Sequence, residues 1–435
     1  MIAKNDKKVI NGWAMYDWAN STYSLTITTA IFPSYFYWAT GGKDAIANFL
    51  GLEVNNTVLF TYTLSVAFLF VALINPILGA LADTTGYKKA FMKFFCYLGS
   101  LSCMSMFFFD KSTVSLGVIS FGVAGIGYAG SLVFYNSYLP EIATEDQVDK
   151  VSAKGFALGY FGSVILLGFN LIMVLFPTLF GIPEADPTNL GPRISFLTVG
   201  LWWIGFSQIT FNRLPDDQIQ SKDNKTNPIK RGFTEMKKVW LQAKELPLLK
   251  KYLYAFFFFS MGVQTVMYMA TIYGEEVVGM VMDELIILVL ILQLVAIGGA
   301  YLFAKISDKK GNVFSLIITL IVWIGVCLSA FFIKEGMKIE YYVIGIFVGL
   351  VMGGVQSMAR STYSKLIPKD TPDTTSFFSF FETLEKTSIA TGTLVYGVIR
   401  QISGTMNNSA LALILFFAIG WFLLAQIPSK QSYHD

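Results

Sequence analysis

Twelve apolar stretches, each long enough to cross a bilayer, leave this 435-residue chain few folds to choose from. A helix needs roughly 20 apolar residues to span the hydrocarbon core. The hydropathy pattern predicts spans over Trp13–Ala39, Val58–Ala82, Ala90–Phe109, Thr113–Leu139, Gly155–Phe176 and Ile194–Phe211. A second set follows at Tyr252–Tyr273, Leu285–Ala304, Val313–Ile333, Tyr342–Ile367, Phe377–Arg400 and Ala410–Ile427. Only 14% of residues are charged, against about 25% in soluble domains, too few to cover a globular surface. The first stretch is too long and too aromatic at its start to be a cleaved signal peptide. The expected class is therefore all-α integral membrane.

Lys and Arg set the orientation. With the N-terminus inside, the cytoplasmic segments carry Lys4, Lys7 and Lys8; Lys88, Lys89 and Lys93; Lys150 and Lys154; a dense group between Arg213 and Lys251; Lys305, Lys309 and Lys310; Lys365 and Lys369; and Lys430. The outer loops hold only Lys43, Lys111, Arg193, Lys334, Lys338 and Arg400. Both termini are expected in the cytoplasm. The net charge of +3 gives no reason to expect nucleic acid as a partner.

The one long polar stretch divides the spans six and six. The expected units are an N-terminal six-helix bundle (1–211), a cytoplasmic connector (212–249) and a C-terminal six-helix bundle (250–435). Within the connector, the Ser221–Lys230 run reads as flexible linker. Thr234–Leu246 places Met236, Val239, Trp240 and Ala243 on one helical face, which suits either the inner leaflet or a solvated linker helix. An internal repeat supports the division. Gly117/Gly345, Val123/Val351, Gly125/Gly353, Tyr135/Tyr363 and Pro140/Pro368 are identical pairs, matching the fourth span to the tenth. Asp83-x-x-Gly86 recurs as Asp308-x-x-Gly311 after spans two and eight. Parallel six-span repeats are a trace of transporters that rock about a central site. Gly345, Gly349 and Gly353, and likewise Gly155 and Gly159, form small-xxx-small rows that let helices approach closely, as fixed packing or as sliding surfaces.

Several motifs resemble a known family. Gly79-Ala-Leu-Ala-Asp83-Thr-Thr-Gly86-Tyr-Lys88-Lys89 resembles the loop after span two in the major facilitator superfamily, and Ser307-Asp308-Lys309-Lys310-Gly311 resembles its degenerate second copy. Thr84 and Tyr87 depart from the common pattern. The opening Gly12-Trp13-Ala14-Met15-Tyr16-Asp17-Trp18-Ala19-Asn20-Ser21 resembles the vacuole-effluxer-like group of that superfamily. So do Phe134-Tyr135-Asn136-Ser137-Tyr138-Leu139-Pro140 and Gly353-Gly354-Val355-Gln356-Ser357-Met358-Ala359-Arg360-Ser361. The resemblance covers most of the chain. It implies two pseudo-symmetric six-helix bundles, with spans one, four, seven and ten lining a cavity. A cytoplasmic gate would be built from Gly79, Asp83, Gly86, Lys88, Lys89, Asp308 and Gly311.

Asp83 ends a helix, where the macrodipole disfavours an anion. Lys88, Lys89 or another helix's N-terminus can compensate it, and the resemblance favours the N-terminus of span eleven. Asp17, Arg360, Glu382, Glu385 and Lys386 lie within spans, where charges are costly and usually pair or face a cavity. Glu382 and Lys386 share a helix face; Asp17 belongs either to this group or to an interfacial aromatic belt. Three acids against two bases leave one carboxylate without a partner, which suits it to carry a proton, with Glu382 or Asp17 the candidate. A closed structural ion network is the alternative. On the cavity-lining spans the polar candidates are Asn20, Ser21, Thr22, Tyr135, Asn136, Gln264, Tyr268, Gln356 and Arg360. An arginine with amide and hydroxyl donors suits a small zwitterion such as an amino acid.

The lone histidine, His434, sits next to the C-terminal residue, which leaves no triad and no His-ligated metal, and Cys96, Cys103 and Cys327 read as core residues. No Walker sequence is present. The expectation is a non-enzymatic secondary transporter of a small organic solute, coupled to protons. It would need no cofactor or metal and would act as a monomer in a bacterial cytoplasmic membrane. A receptor or scaffold, or transport of a peptide, nucleoside, sugar or lipid-like solute, are the alternatives.

Overall fold

The computed structural model describes residues 3–42, 44–183, 186, 188–217, 228–369 and 371–428. Lys43, Lys430, His434 and the Ser221–Asn227 part of the expected linker lie outside these. Helix α1 (Lys7–Thr22) opens on Asp6, whose carboxylate accepts the Lys8 and Val9 amides at 2.7 and 3.2 Å. It runs through a π-helical segment (Tyr23–Ile31) into α2 (Phe32–Ala39). A short antiparallel hairpin, β1 (Ile46–Phe49) and β2 (Leu52–Asn55), leads into α3 (Asn56–Thr85). Next come α4 (Lys88–Ser105), α5 (Val114–Ser137), α6 (Leu139–Ile142), α7 (Val148–Leu175) and α8 (Leu190–Arg213). After the connector helix α9 (Pro228–Glu245) come α10 (Pro247–Tyr273), α11 (Met282–Lys310) and α12 (Asn312–Phe331). The chain closes with α13 (Lys338–Leu366), α14 (Thr374–Ser403) and α15 (Met406–Leu424).

Every expected span falls on helix. Among the described residues, ten helices are long and apolar enough to cross a membrane. The two remaining expected spans fall short for physical reasons. Trp13–Ala39 is interrupted by the π segment, and Phe377–Arg400 lies in α14, which carries Glu382, Glu385, Lys386 and Arg400. In the π segment the Thr29 hydroxyl donates to the Ser24 carbonyl five residues back at 2.9 Å. Such segments are rare and concentrate at functional sites. Neither it nor the hairpin was expected from hydropathy.

Buried apolar side chains form two cores. One runs from Val9 to Leu214, and the other is built mainly from residues after Val239. Helices α7, α11, α13, α14, α3 and α5 make the contacts between the halves. The repeat is visible in the packing: Gly125 faces Ala67 of α3, and its mate Gly353 faces Ala296 of α11. The connector helix differs from expectation. Val239 and Ala243 are buried and α9 docks on α3, α10 and α14. The face expected to meet the leaflet therefore packs on protein, apart from Trp240, whose ring is exposed and sits 5.7 Å from Phe380.

Lipid tails are as apolar as leucine, so helix association in a membrane depends on close packing. The α11–α13 seam shows this. A Cβ on Gly353 would stand 2.0 Å from the Ala296 carbonyl oxygen, and one on Gly349 2.5 Å from that of Leu292. Replacing Gly353 with Ala is expected to push the two helices apart and cost about 1–3 kcal/mol. Gly168→Ala, where a Cβ meets nothing within 4 Å, should leave stability unchanged. Thermal unfolding of the two variants in detergent checks the contrast.

Candidate functional site

Arg360, on α13, is a fully buried charge. All three nitrogens of its guanidinium donate within the protein. Nε reaches the Ser152 hydroxyl at 3.0 Å and Nη2 the Ser152 carbonyl at 2.8 Å. Nη1 reaches Asp17 at 3.2 Å and the Asn136 side-chain oxygen at 3.1 Å. Trp13, Tyr135 and Phe156 surround the cation, with ring centroids 4.8, 5.5 and 4.1 Å away. Asp17 is buried, not interfacial, and also accepts the Tyr135 hydroxyl at 2.7 Å. Gly155 makes the pair possible, since a Cβ there would lie 2.5 Å from the Asp17 carboxylate and 2.8 Å from Arg360 Nη2. The pair joins the two halves, Asp17 coming from α1 and Arg360 from α13.

Asn136 carries this group onward. Its amide nitrogen donates to Glu382 at 2.7 Å. The other Glu382 oxygen lies 3.5 Å from the Lys386 ammonium, which contacts Glu385 at 2.6 Å. Glu385 accepts from Gln264 at 3.0 Å. One continuous polar chain thus runs from Ser152 through Arg360, Asn136, Glu382 and Lys386 to Gln264, holding three carboxylates and two cations. Within hydrocarbon such a cluster is tolerated only against protein or a solvent-filled space.

That space is a cavity of about 230 Å³ between the halves. Asp17, Asn136, Gln264, Gln356, Arg360, Glu382 and Lys386 contribute to its wall, with Glu385 the most exposed of the charged side chains. Three expected residues do not line it. Asn20 is buried beside Ser21, which does, Thr22 is buried with its hydroxyl on the Ala19 carbonyl, and Tyr135 stands behind Asp17. Arg360 already donates to four protein acceptors, and Lys386 is the slightly more exposed of the two cations in the wall.

On the face carrying the two Asp-x-x-Gly loops, the halves are closed against each other. Asp83 receives the Thr375 and Ser376 amides at 3.1 and 2.7 Å and the Ser376 hydroxyl at 2.7 Å. These are the first-turn donors of α14, so one helix's positive end compensates an anion at another's negative end. Gly79 lets the helices meet: a Cβ there would come within 3.0 Å of the Thr375 carbonyl. Gly86 ends α3 at φ 80°. Lys88 pairs with Glu141 and reaches Thr374 at 3.0 Å. Lys89 turns away to Leu214 and Asp216, holding the Asp216 carboxyl below its usual range. The repeat mate Asp308 meets Lys150 of α7 at 2.9 Å, and Gly311 joins α11 to α12 at φ 90°.

Nearly the whole chain matches one family model. Residues 5–435 fit the family described as vacuole effluxer Atg22 like. The chain belongs to this family. It is 29% identical to an MFS-type transporter of Bacillus subtilis, YxiO, over 99% of this chain and 97% of that protein. Autophagy-related protein 22 of Kluyveromyces lactis is 25% identical, over 96% and 93%. In three dimensions it superposes on the major facilitator superfamily transporter FucP, in its outward conformation, with a TM-score of 0.70 at 14% identity, covering 98% of this chain and all of that one. The proton:xylose symporter XylE gives 0.67 at 12%, over 98% and 95%. The fold is that of the major facilitator superfamily, and the protein is an integral, multi-pass membrane protein.

This Atg22-like chain also uses residues that hydropathy and motif reading passed over. Ser152 binds Arg360 from the first turns of α7, and the Tyr160 hydroxyl donates to Gln356 at 2.5 Å. Asp149 joins Lys365 at 2.9 Å, with Ser307 and Asn312 each at 2.7 Å. Asp149, Ser152 and Tyr160 share α7 with the Gly155/Gly159 row, and that glycine row was the available signal. Removing one partner of a buried pair strands the other charge. Arg360→Met is expected to cost about 3–5 kcal/mol, and Asp17→Asn with Arg360→Met to recover much of that loss. Unfolding midpoints of the single and double variants give the coupling.

Proposed function

We propose that this MFS-type transporter moves a small zwitterionic solute, an amino acid in the first instance, by alternating exposure of the central cavity, in exchange for protons. The observation that carries the reading is the charge balance of the polar chain. Arg360 matches Asp17, whereas Lys386 is shared by Glu382 and Glu385. One carboxylate in the cavity wall therefore lacks a fixed counter-charge. A proton on Glu382 or a substrate ammonium on Glu385 neutralises the excess charge equally well, and because both carboxylates share Lys386 the two events exclude each other. Glu385 would take the ammonium and Lys386 the substrate carboxylate, while neutral donors such as Gln264 and Gln356 orient the remainder. Glu382 is the proton carrier, because Asp17 is already matched by Arg360 and Tyr135.

The closed face supplies the alternation. Asp83 on the first turn of α14 and Lys150 on Asp308 exist only while that side is shut. Opening it would break both, with the Asp17–Arg360 layer as the pivot. The Lys and Arg distribution assigns this face to the cytoplasm, and the Bacillus subtilis relative supports a bacterial cytoplasmic membrane. The protein would work as a monomer, since each half supplies part of the site.

Competition for the one uncompensated charge sets the sign of coupling. Proteoliposomes with an acidic lumen are expected to accumulate labelled amino acid as protons leave. Glu382→Gln should retain exchange of substrate between equal pools but lose the response to the pH gradient. Uptake indifferent to the gradient in the unmodified protein, or still driven by it in Glu382→Gln, contradicts the assignment.

A further inference from the structure

The side of α9 turned away from the bundle carries a pattern that the transport reading does not use. Lys230, Phe233, Lys237, Leu241 and Lys244 fall on one helical face, turned away from the buried Val239 and Ala243, with Trp240 at the edge between the two. Phe233, Trp240 and Leu241 are roughly half exposed, and Lys244 lies over the Trp240 ring at 5.1 Å. Bulky apolar groups interleaved with lysines, on a helix beside the ends of membrane-spanning helices, match a bilayer surface with anionic headgroups. Tails receive the aromatic and leucine side chains, and headgroup phosphates receive the ammonium groups.

The same helix touches the gate. Lys238 reaches Asp373 at 3.3 Å, one residue before α14 begins. The amides of Thr375 and Ser376, next along the chain, hold Asp83. The Trp240 ring adds a second contact, to Phe380 of α14. Fixing α9 therefore fixes the first turn of α14, where the halves are latched.

We infer that the outer face of α9 seats on an anionic leaflet and, through Lys238–Asp373 and Trp240–Phe380, holds the Asp83 gate shut. Anionic lipid would thus regulate how often the closed face opens, a property independent of which solute is carried.

The test uses the full chain in phosphatidylcholine vesicles, with and without phosphatidylglycerol. Phe233→Cys carrying an environment-sensitive fluorophore reports seating. Ser379→Cys, at a position buried against Gly79 in the closed face, reports opening through its rate of maleimide labelling. Phosphatidylglycerol is expected to shift the fluorophore emission to the blue and slow labelling several-fold. Combined Lys230→Gln, Lys237→Gln and Lys244→Gln should abolish both effects, and the matching Lys→Arg set should keep them. Identical emission in the two lipids overturns the proposal, as does a shift in emission with unchanged labelling. Inorganic phosphate reproducing the shift in phosphatidylcholine alone would make this a soluble-anion site and overturn it too.

Discussion

A guanidinium deep in a membrane protein must be satisfied from every side, and meeting that demand organises this structure. Arg360 draws a carboxylate from α1, an amide from α5 and both a hydroxyl and a carbonyl from α7, all from the other half of the molecule. The aromatic shell of Trp13, Tyr135 and Phe156 and the bare backbone at Gly155 follow from the same requirement. A larger residue at 155 would occupy the space where the pair meets. The ion pair crosses between the halves, from α1 to α13.

The second charged group has the opposite character. On α14, one ammonium serves two carboxylates beside open space. Asn136 connects the groups, donating to Glu382 while accepting from Arg360. A single side chain thus links Glu382 to the Asp17–Arg360 pair. Asp83 shows a third device, a carboxylate held on the first-turn amides of another helix.

Much of this was legible in the sequence because the bilayer restricts what a chain can do. Apolar length placed all twelve expected spans on helix, ten of them on helices long and apolar enough to cross a membrane, and the 345/349/353 glycine row reported a real close approach, since small residues at that period have few other uses in lipid. The in-span charges pointed to Arg360, Glu382 and Lys386 for the same reason: ions there are too costly to be incidental. Partner choice was less legible. Arg360 was expected to await a substrate carboxylate, and nothing in the spacing showed that Ser152 would take two of its nitrogens. The π segment was hidden because it changes hydrogen-bond register without changing hydropathy. The connector helix has two apolar-bearing faces, and composition did not reveal which of them packs on protein.

The central claim is that the halves move as bodies about the Asp17–Arg360 layer, opening the face that is shut here. Glu145 and Lys369 lie on opposite halves of that face and pair at 3.3 Å. Spin labels at Glu145→Cys and Lys369→Cys, with the three buried native cysteines replaced, allow the separation to be measured by pulsed electron paramagnetic resonance in nanodiscs. The account predicts two populations, a short one matching this structure and a longer one that grows when Asp83→Asn removes the charge held by α14. A single short distance, unchanged by Asp83→Asn, would contradict it.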